Sequence, residues 1–204
     1  MSAKYLEKKE SGVLVDLEGV TYLNTCCYEL HKDTKLPETL QVLILEGSVL
    51  PESVMLPSGL ESLSLRGGGS LPAGVKLPCN LITLILCESV LPEGVKLPDS
   101  LRYLDIGGWT LPEGFVLPCN LDILDLCGSD LSEGVKLPDS LHTLRLGGGA
   151  LPEGVNLPEC LKCFILGGSS LPKGVKLPSS LEEINFDGCT LSESIVIPKG
   201  CKIW

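Results

Sequence analysis

Apolar residues recur along this chain with a period of 20 residues. Nine blocks open with the spacing LxxLxL. With the first residue of that spacing taken as position 0, apolar residues return at +3, +5, +10, +14 and +16. Only Thr25 and Thr34 interrupt these six rows, and one extra residue falls in the run Gly67–Gly69, where glycine most easily absorbs an insertion. The position-0 residues are Val20, Leu40, Leu60, Leu81, Leu101, Leu121, Leu141, Leu161 and Leu181.

The rows predict a strand, a turn and an extended return in every block. Positions +3 and +5 alternate with other positions as they would on one side of a short β-strand. Two further rows, +11 and +17, hold all 15 prolines. Proline at +11 and glycine at +13 exclude an α-helix from the return, and proline at +17 favours an extended or polyproline-like backbone.

One block cannot bury its apolar rows alone, whereas stacked blocks bury each other's rows and pair their strands in parallel. The predicted fold class is therefore a right-handed, β-rich solenoid. Its parallel strands lie on the concave face, its convex returns are extended or polyproline-like, and it has essentially no α-helix. We expect an N-terminal cap over residues 1–19, nine repeats over 20–194 and a C-terminal cap over 195–204.

Both ends of the repeat array need a cap, because an open solenoid exposes its core and a strand edge. Val13, Val15 and Leu17 alternate like half of a repeat and predict the N-terminal cap. At the other end, Cys201 and Trp204 fall at positions 0 and +3 of a tenth block and predict the C-terminal cap.

The repeat resembles the leucine-rich-repeat family over about residues 20–200. The likeness is carried by units such as LRYLDI at Leu101–Ile106, followed by Leu111 with Pro-Glu-Gly. The 20-residue unit is similar to the short repeats of bacterial type III secreted effectors. It is also similar to FNIP repeats, through the LPxSLxxLxLG run at Leu97–Gly107 and Leu137–Gly147. The chain departs from the family at +8, where asparagine is usual and serine or glycine is frequent here, and it lacks the Phe-Asn dipeptide of FNIP repeats. The resemblance implies a leucine-rich-repeat solenoid used for protein–protein interaction, as an effector or adaptor.

The formal net charge of -10 and the absence of a basic tract exclude nucleic acid and anionic membranes as expected partners. No apolar run approaches the roughly 20 residues of a membrane span, and the first residues lack the apolar core of a secretory signal. We therefore expect a cytoplasmic protein, in a host cytosol if the chain is a secreted effector.

Ten cysteines are the obvious candidates for chemistry. Without an export signal we expect no disulfides. Cys160 and Cys163 match a CxxC spacing, but an extended strand would carry the two sulfurs apart, and His31 and His142 lie in distant blocks. Glycine runs lack the following Lys-Ser or Lys-Thr of a phosphate loop. We expect no metal, no cofactor and no enzymatic activity, with a cysteine-based zinc or redox protein as the least favoured alternative.

Positions +1, +2 and +4 are expected to project from the sheet and to form the partner-binding face. Around the sixth to eighth blocks this face combines aromatic, aliphatic and charged residues, which is the composition of an interaction hot spot. The alternative interpretation is a solvated face with neighbouring opposite charges. The candidate residues are Arg102, Tyr103, Asp105, Trp109, Asp122, Ile123, Asp125, His142 and Arg145.

Two further surface features stand out. An apolar set on the same face is a second candidate contact: Tyr22, Val42, Ile44, Ile82 and Ile85. Glutamate recurs at +12 and lysine at +15, which predicts a solubilising charge ladder on the return path. The function we predict is a monomeric, non-catalytic scaffold that holds a protein partner on the concave face. A self-associating structural repeat protein is the alternative.

Overall fold

The computed structural model describes residues 17–25, 30–108, 111–189 and 195–204, and of residues 4–6 it describes the backbone alone. These residues form eleven short β-strands and no helix. Nine of the strands belong to successive turns of a parallel β-solenoid. Within the same ranges, nothing has the helical length and apolar character that crossing a bilayer requires. The chain divides into two compact units, unit 1 at residues 1–101 and unit 2 at residues 102–204.

Unit 1 contains five parallel strands in chain order. Leu23, Leu43, Leu63 and Leu84 lie side by side on neighbouring strands, so the +3 row of the sequence becomes one row of the core. The strands are β1 (Lys4–Leu6), β2 (Val20–Asn24), β3 (Val42–Glu46), β4 (Ser62–Arg66) and β5 (Thr83–Ile85).

Unit 2 contains six parallel strands, again in chain order. Leu104, Leu124, Leu144, Phe164 and Ile184 form its +3 row, and all five are fully buried. The strands are β6 (Tyr103–Asp105), β7 (Ile123–Asp125), β8 (Thr143–Arg145), β9 (Cys163–Ile165), β10 (Glu183–Asn185) and β11 (Lys202–Ile203).

The strand rows form the core more completely than the return rows do. The described residues at positions 0 and +3 are at most 3% exposed. At +16, by contrast, Leu117 is buried at 6% while Leu97 and Leu137 are half-buried. The residues at +12, +13 and +15 beside these rows are mostly exposed, so the return rows are only one side chain deep.

Both proline rows open hydrogen-bonded turns. The carbonyl of Pro51, at +11, accepts a hydrogen bond from the backbone N–H of Val54 at 2.9 Å, and equivalent bonds recur in later repeats. Glycine at +13 has a positive φ, as at Gly134 (φ 76), which gives the turn type II geometry. The carbonyl of Pro138, at +17, accepts from the N–H of Leu141 at 3.1 Å and so positions the start of the next strand.

Serine at +8 takes the place of the asparagine usual in leucine-rich repeats. Ser48, Ser89, Ser129 and Ser169 are all at most 7% exposed. The hydroxyl of Ser129 donates to the carbonyl oxygen of Ile106, in the preceding turn of the solenoid, at 3.2 Å. A buried hydroxyl thus links the turn after one strand to a backbone carbonyl of the preceding turn of the solenoid.

Two short strands, β1 and β11, lie near the ends of the chain. Leu17 is buried, but Val13 and Val15 lie outside the described residues, and the strand that pairs with β2 is Lys4–Leu6. At the other end Ile203 lies opposite Ile184, so the +3 register falls one residue before Trp204. Both terminal side chains are exposed, hence no buried row fixes the register there.

Candidate functional site

The side chains at +1, +2 and +4 of β6–β8 form one patch, which we call the charged strand face. Its members are Arg102, Tyr103, Asp105, Asp122, Ile123, Asp125, His142 and Arg145. The register places Tyr103 beside Ile123, and Asp105, Asp125 and Arg145 in a single row across the three strands. The structure therefore brings eight of the nine candidate residues together. The ninth, Trp109, lies outside the described residues.

Opposite charges on this face meet across neighbouring strands. Arg145 Nη1 lies 3.5 Å from Asp125 Oδ2. His142 Nδ1 lies 2.8 Å from Asp122 Oδ1, a close contact without hydrogen-bond geometry that becomes an ion pair when the imidazole is protonated. Exposed pairs of this kind contribute roughly 0–1 kcal/mol, so they arrange the surface more than they stabilise the fold.

Asp105 does not project into solvent as expected. It is only 6% exposed, and its Oδ1 accepts a hydrogen bond from the backbone N–H of Gly107 at 2.9 Å. Asp125 repeats the arrangement, accepting from the N–H of Cys127 at 3.1 Å. Aspartate at +4 is thus a turn residue that satisfies the backbone two positions later. The expectation that Asp105 projects from the sheet was therefore wrong, while its part in partner binding stays a prediction.

Tyr103 is the aromatic centre of the charged strand face. Partial burial raises the pKa of its phenol, and the negative charges of Asp105 and Asp125 raise it further. The hydroxyl therefore stays protonated well above neutral pH and remains a hydrogen-bond donor. Next to it, Arg102 is exposed and donates from Nη1 to the carbonyl oxygen of Asn120 at 3.0 Å.

The rows of this face continue onto β9, which the sequence interpretation left out. Cys163 follows Thr143 in the +2 row, and Ile165 follows Arg145 in the +4 row. Both are half-buried. Their repeat positions were the signal that could have identified them, since Thr143 and Arg145 occupy the same +2 and +4 positions on β8.

The second candidate set, in unit 1, is less continuous than expected. Tyr22 lies beside Val42, but Ser64 separates Ile44 from Ile85 in the +4 row. Ser64 is 4% exposed, and its hydroxyl has no hydrogen-bond partner within the described residues. Only Ile82 of the apolar set is clearly exposed, at 43%.

None of the eight cysteines in the described ranges forms a disulfide. Cys160 is exposed in a turn, whereas Cys163 is half-buried on β9. Burial raises the pKa of the Cys163 thiol, and the carboxylate of Glu183 adds to the effect. A reactive or metal-binding thiol needs the opposite shift. The described part of the chain also holds no group of three or more His, Cys, Asp or Glu side chains placed to bind a metal ion.

The charge ladder lies on the surface, as predicted. In unit 2 it borders a groove of about 970 Å³ on the return path. Glu133, Lys136, Glu153 and Lys176 are exposed there, and among the described residues no ion pair within 4.0 Å involves them. The ladder therefore keeps the return path hydrated, and it contributes little to stability.

The fold is similar to that of solved structures. YopM from Yersinia enterocolitica WA-314 is similar at a TM-score of 0.52 and 23% identity over 91% of this chain, and the chain spans 50% of the YopM chain. The circular leucine-rich-repeat protein CroV588 is similar at a TM-score of 0.42 and 20% identity, over 90% of this chain and 36% of that one. No protein-family model and no curated protein matches the sequence.

The likeness to YopM covers nearly the whole chain. It coincides with nine successive strands built on LxxLxL and joined by helix-free returns in the described ranges. This chain accordingly has the leucine-rich-repeat fold, in its short form of about 20 residues per turn.

Proposed function

We propose that this chain is a non-catalytic scaffold that binds a protein partner on the charged strand face of unit 2. The observation that carries the proposal is the pairing of Tyr103 with Ile123 on adjacent strands, within a rim of Arg102, Asp122 and His142. Aromatic and aliphatic side chains within a charged rim are the usual centre of a protein interface.

The face also suits binding because its side chains are held in place before a partner arrives. Asp125 is fixed by its turn and by Arg145, and Arg102 is fixed on the carbonyl of Asn120. Preorganised side chains lose less conformational entropy on association. An effector or adaptor that acts as a monomer in a cytosol is the role we propose for such a scaffold.

Matched substitutions test the proposal in a quantitative pull-down from the source cells. Tyr103→Ala should weaken capture of the specific partner about thirtyfold if the ring is a hot spot worth about 2 kcal/mol. Arg102→Glu should weaken it as well. The controls are Val116→Ala, which removes an 83% exposed side chain from the return path, and Lys136→Glu, which reverses an exposed charge there.

Both control variants should keep the partner, and all four should retain the far-ultraviolet spectrum of the wild type. Equal capture by the strand-face and control variants would mean that the partner binds elsewhere, and the proposal would fail.

A further inference from the structure

A groove of about 640 Å³ crosses the side of unit 1 where the chain enters its strands. Every lining residue belongs to unit 1, and none is a member of the charged strand face. Position +1 supplies one wall, and the residues just before each strand supply the other. The lining residues are Thr21, Gln41, Glu61 and Ile82 on the first wall, with Glu38, Thr39, Gly59, Asn80 and Ser100 on the second.

Hydrogen bonds hold the second wall in place. The hydroxyls of Thr39 and Ser100 donate to the carbonyl oxygens of the preceding turns, at 3.0 and 2.7 Å. Asn80 Nδ2 donates to the carbonyl of Ser58 at 3.1 Å. At Gly59 an added Cβ would lie 2.9 Å from the carbonyl oxygen of Glu38, so this part of the wall has no room for a side chain. Hydrogen bonds and close backbone packing therefore fix this wall of the groove.

The ionisable residues of the groove are both acidic. Glu38 Oε2 accepts hydrogen bonds from the N–H and the hydroxyl of Ser58, at 3.3 and 3.2 Å. Glu61 lies in the +1 row between Gln41 and Ile82, which carry no charge. Within the described ranges no cationic side chain lies within 4.0 Å of either carboxylate.

In unit 2, acidic residues at the same repeat position as Glu61 lie beside basic side chains. Asp122 and Glu182, both at +1, lie within 4.0 Å of His142 and Lys162, which occupy +1 of neighbouring strands. Among the described residues of unit 1, no basic side chain lies within 4.0 Å of Glu61 in this way. Its carboxylate is therefore available to a cationic group of a partner.

Ile82 adds an apolar surface beside these carboxylates and is 43% exposed. An arginine side chain has a planar guanidinium that a carboxylate binds through two hydrogen bonds, and an aliphatic stem that packs on apolar surface. We propose that the groove binds an arginine-bearing, aliphatic segment of a protein partner, with Glu61 and Glu38 on the guanidinium and Ile82 under the stem.

Fluorescence anisotropy tests this with two labelled octapeptides, Gly-Ser-Leu-Arg-Leu-Arg-Ser-Gly and the version with glutamine in place of arginine. The full chain should bind the arginine peptide in preference. The double variant Glu38→Gln/Glu61→Gln should bind it about tenfold more weakly, as expected for two surface ion pairs. The double variant Glu133→Gln/Glu153→Gln changes the charge equally on the return path of unit 2 and should change binding less than twofold.

Nuclear magnetic resonance locates the peptide. On titration of the full chain, the side-chain amide signals of Gln41 and Asn80 should shift, while that of Asn156 on the return path should not. The proposal is overturned if the glutamine peptide binds equally well, if both double variants lose affinity equally, or if shifts spread evenly over the acidic surface. Equal binding of the glutamine peptide would mean that the carboxylates do not select the arginines, and either of the other two results would indicate diffuse attraction to a chain of net charge -10. None of them depends on whether the charged strand face binds a partner.

Discussion

At the scale of single residues, the turn after each strand requires a left-handed backbone. Glycine usually supplies it, as at Gly147 (φ 58) and Gly148 (φ 99). Three other residues adopt it at a cost: Glu88 (φ 59), Cys127 (φ 42) and Asp187 (φ 39). A Cβ in this region clashes with the neighbouring carbonyl and costs roughly 1–2 kcal/mol per residue.

Glu88→Gly should therefore stabilise the protein. The gain is expected to be about 1 kcal/mol, because relief of the left-handed strain exceeds the extra entropy that glycine adds to the unfolded chain. Urea unfolding measures the change. Glu93→Gly is the matched control, since Glu93 is exposed and has no positive φ, and it should leave stability unchanged or lower it. A loss of stability in Glu88→Gly would contradict the strain argument.

Gly149 shows the opposite constraint, the absence of space. A Cβ built there would lie 2.1 Å from the carbonyl oxygen of Ser129 in the preceding turn of the solenoid. Gly149→Ala should cost about 3 kcal/mol or more, because backbone must move to relieve the overlap. Gly154→Ala is the comparison, because Gly154 has a φ of +76 and nothing lies within 4 Å of the added atom. It should cost only the conformational strain, about 1 kcal/mol. Equal losses in calorimetry would show that space is not the cause.

At the scale of elements, hydroxyl groups link one turn of the solenoid to the next. At +8, Ser129 donates to a carbonyl one repeat earlier, and a second row just before the strands does the same, as Ser140 does to Leu121 at 2.6 Å. These bonds connect adjacent turns outside the short β-ladder.

Ser129→Ala tests the +8 row. The variant removes the hydrogen bond that this buried hydroxyl donates to the carbonyl oxygen of Ile106, which is expected to cost about 1 kcal/mol. Ser179→Ala changes an exposed serine and should be nearly neutral. Guanidinium unfolding of the two variants gives the comparison, and similar midpoints would mean that the buried hydroxyl is dispensable.

Two aspartates in the +4 row, Asp105 and Asp125, raise the pKa of the neighbouring Tyr103. Asp125→Asn keeps an oxygen for the turn but removes a negative charge that raises the phenol pKa. The pKa of Tyr103 should fall toward its ordinary value but stay above it, because burial is the larger cause of the shift. Ultraviolet titration of the variant against the wild type, with Tyr103→Phe to identify the signal, measures it. An unchanged or higher pKa would contradict this account.

At the scale of the whole molecule, thiol and phenol groups make stability depend on alkaline pH. Partial burial and the neighbouring Asp125 and Asp105 raise the pKa of Cys127, whose Sγ lies 3.1 Å from Asp125 Oδ1 although the residue is exposed overall. The pKa values of Cys163 and Cys201 are also raised, chiefly by burial. The folded state holds these protons more strongly than the unfolded chain does.

Stability from these thiols is fully present below the ordinary thiol pKa of about 8.5 and is lost as the pH rises above it. The urea concentration at the unfolding midpoint should therefore decrease as the pH is raised from about 8.5 to about 10.5. Cys127→Ser should reduce that fall, whereas Cys79→Ser, which changes an exposed thiol in unit 1, should not. A midpoint that is flat over this range would show that the thiols do not contribute.

The residue pattern determined the repeat, the strands and the proline turns. Leucine rows at 0, +3 and +5 can be buried only by stacking, and glycine and proline at +13 and +17 allow only tight turns, so local chemistry decided these features. It also placed Tyr103, Ile123 and His142 on one face, because alternation along a strand fixes which side chains point outward.

The tertiary structure decided what depends on neighbouring turns of the solenoid. Alternation placed Asp105 in solvent, but the backbone N–H of Gly107 and the packing around it hold the carboxylate inside. The serine bonds at +8 and the acidic groove around Glu61 likewise arise between residues about 20 positions apart. The repeating apolar positions of the sequence indicate which side chains are buried. The hydrogen-bond partner of each polar group depends on the distance between adjacent turns, and only the folded chain sets that distance.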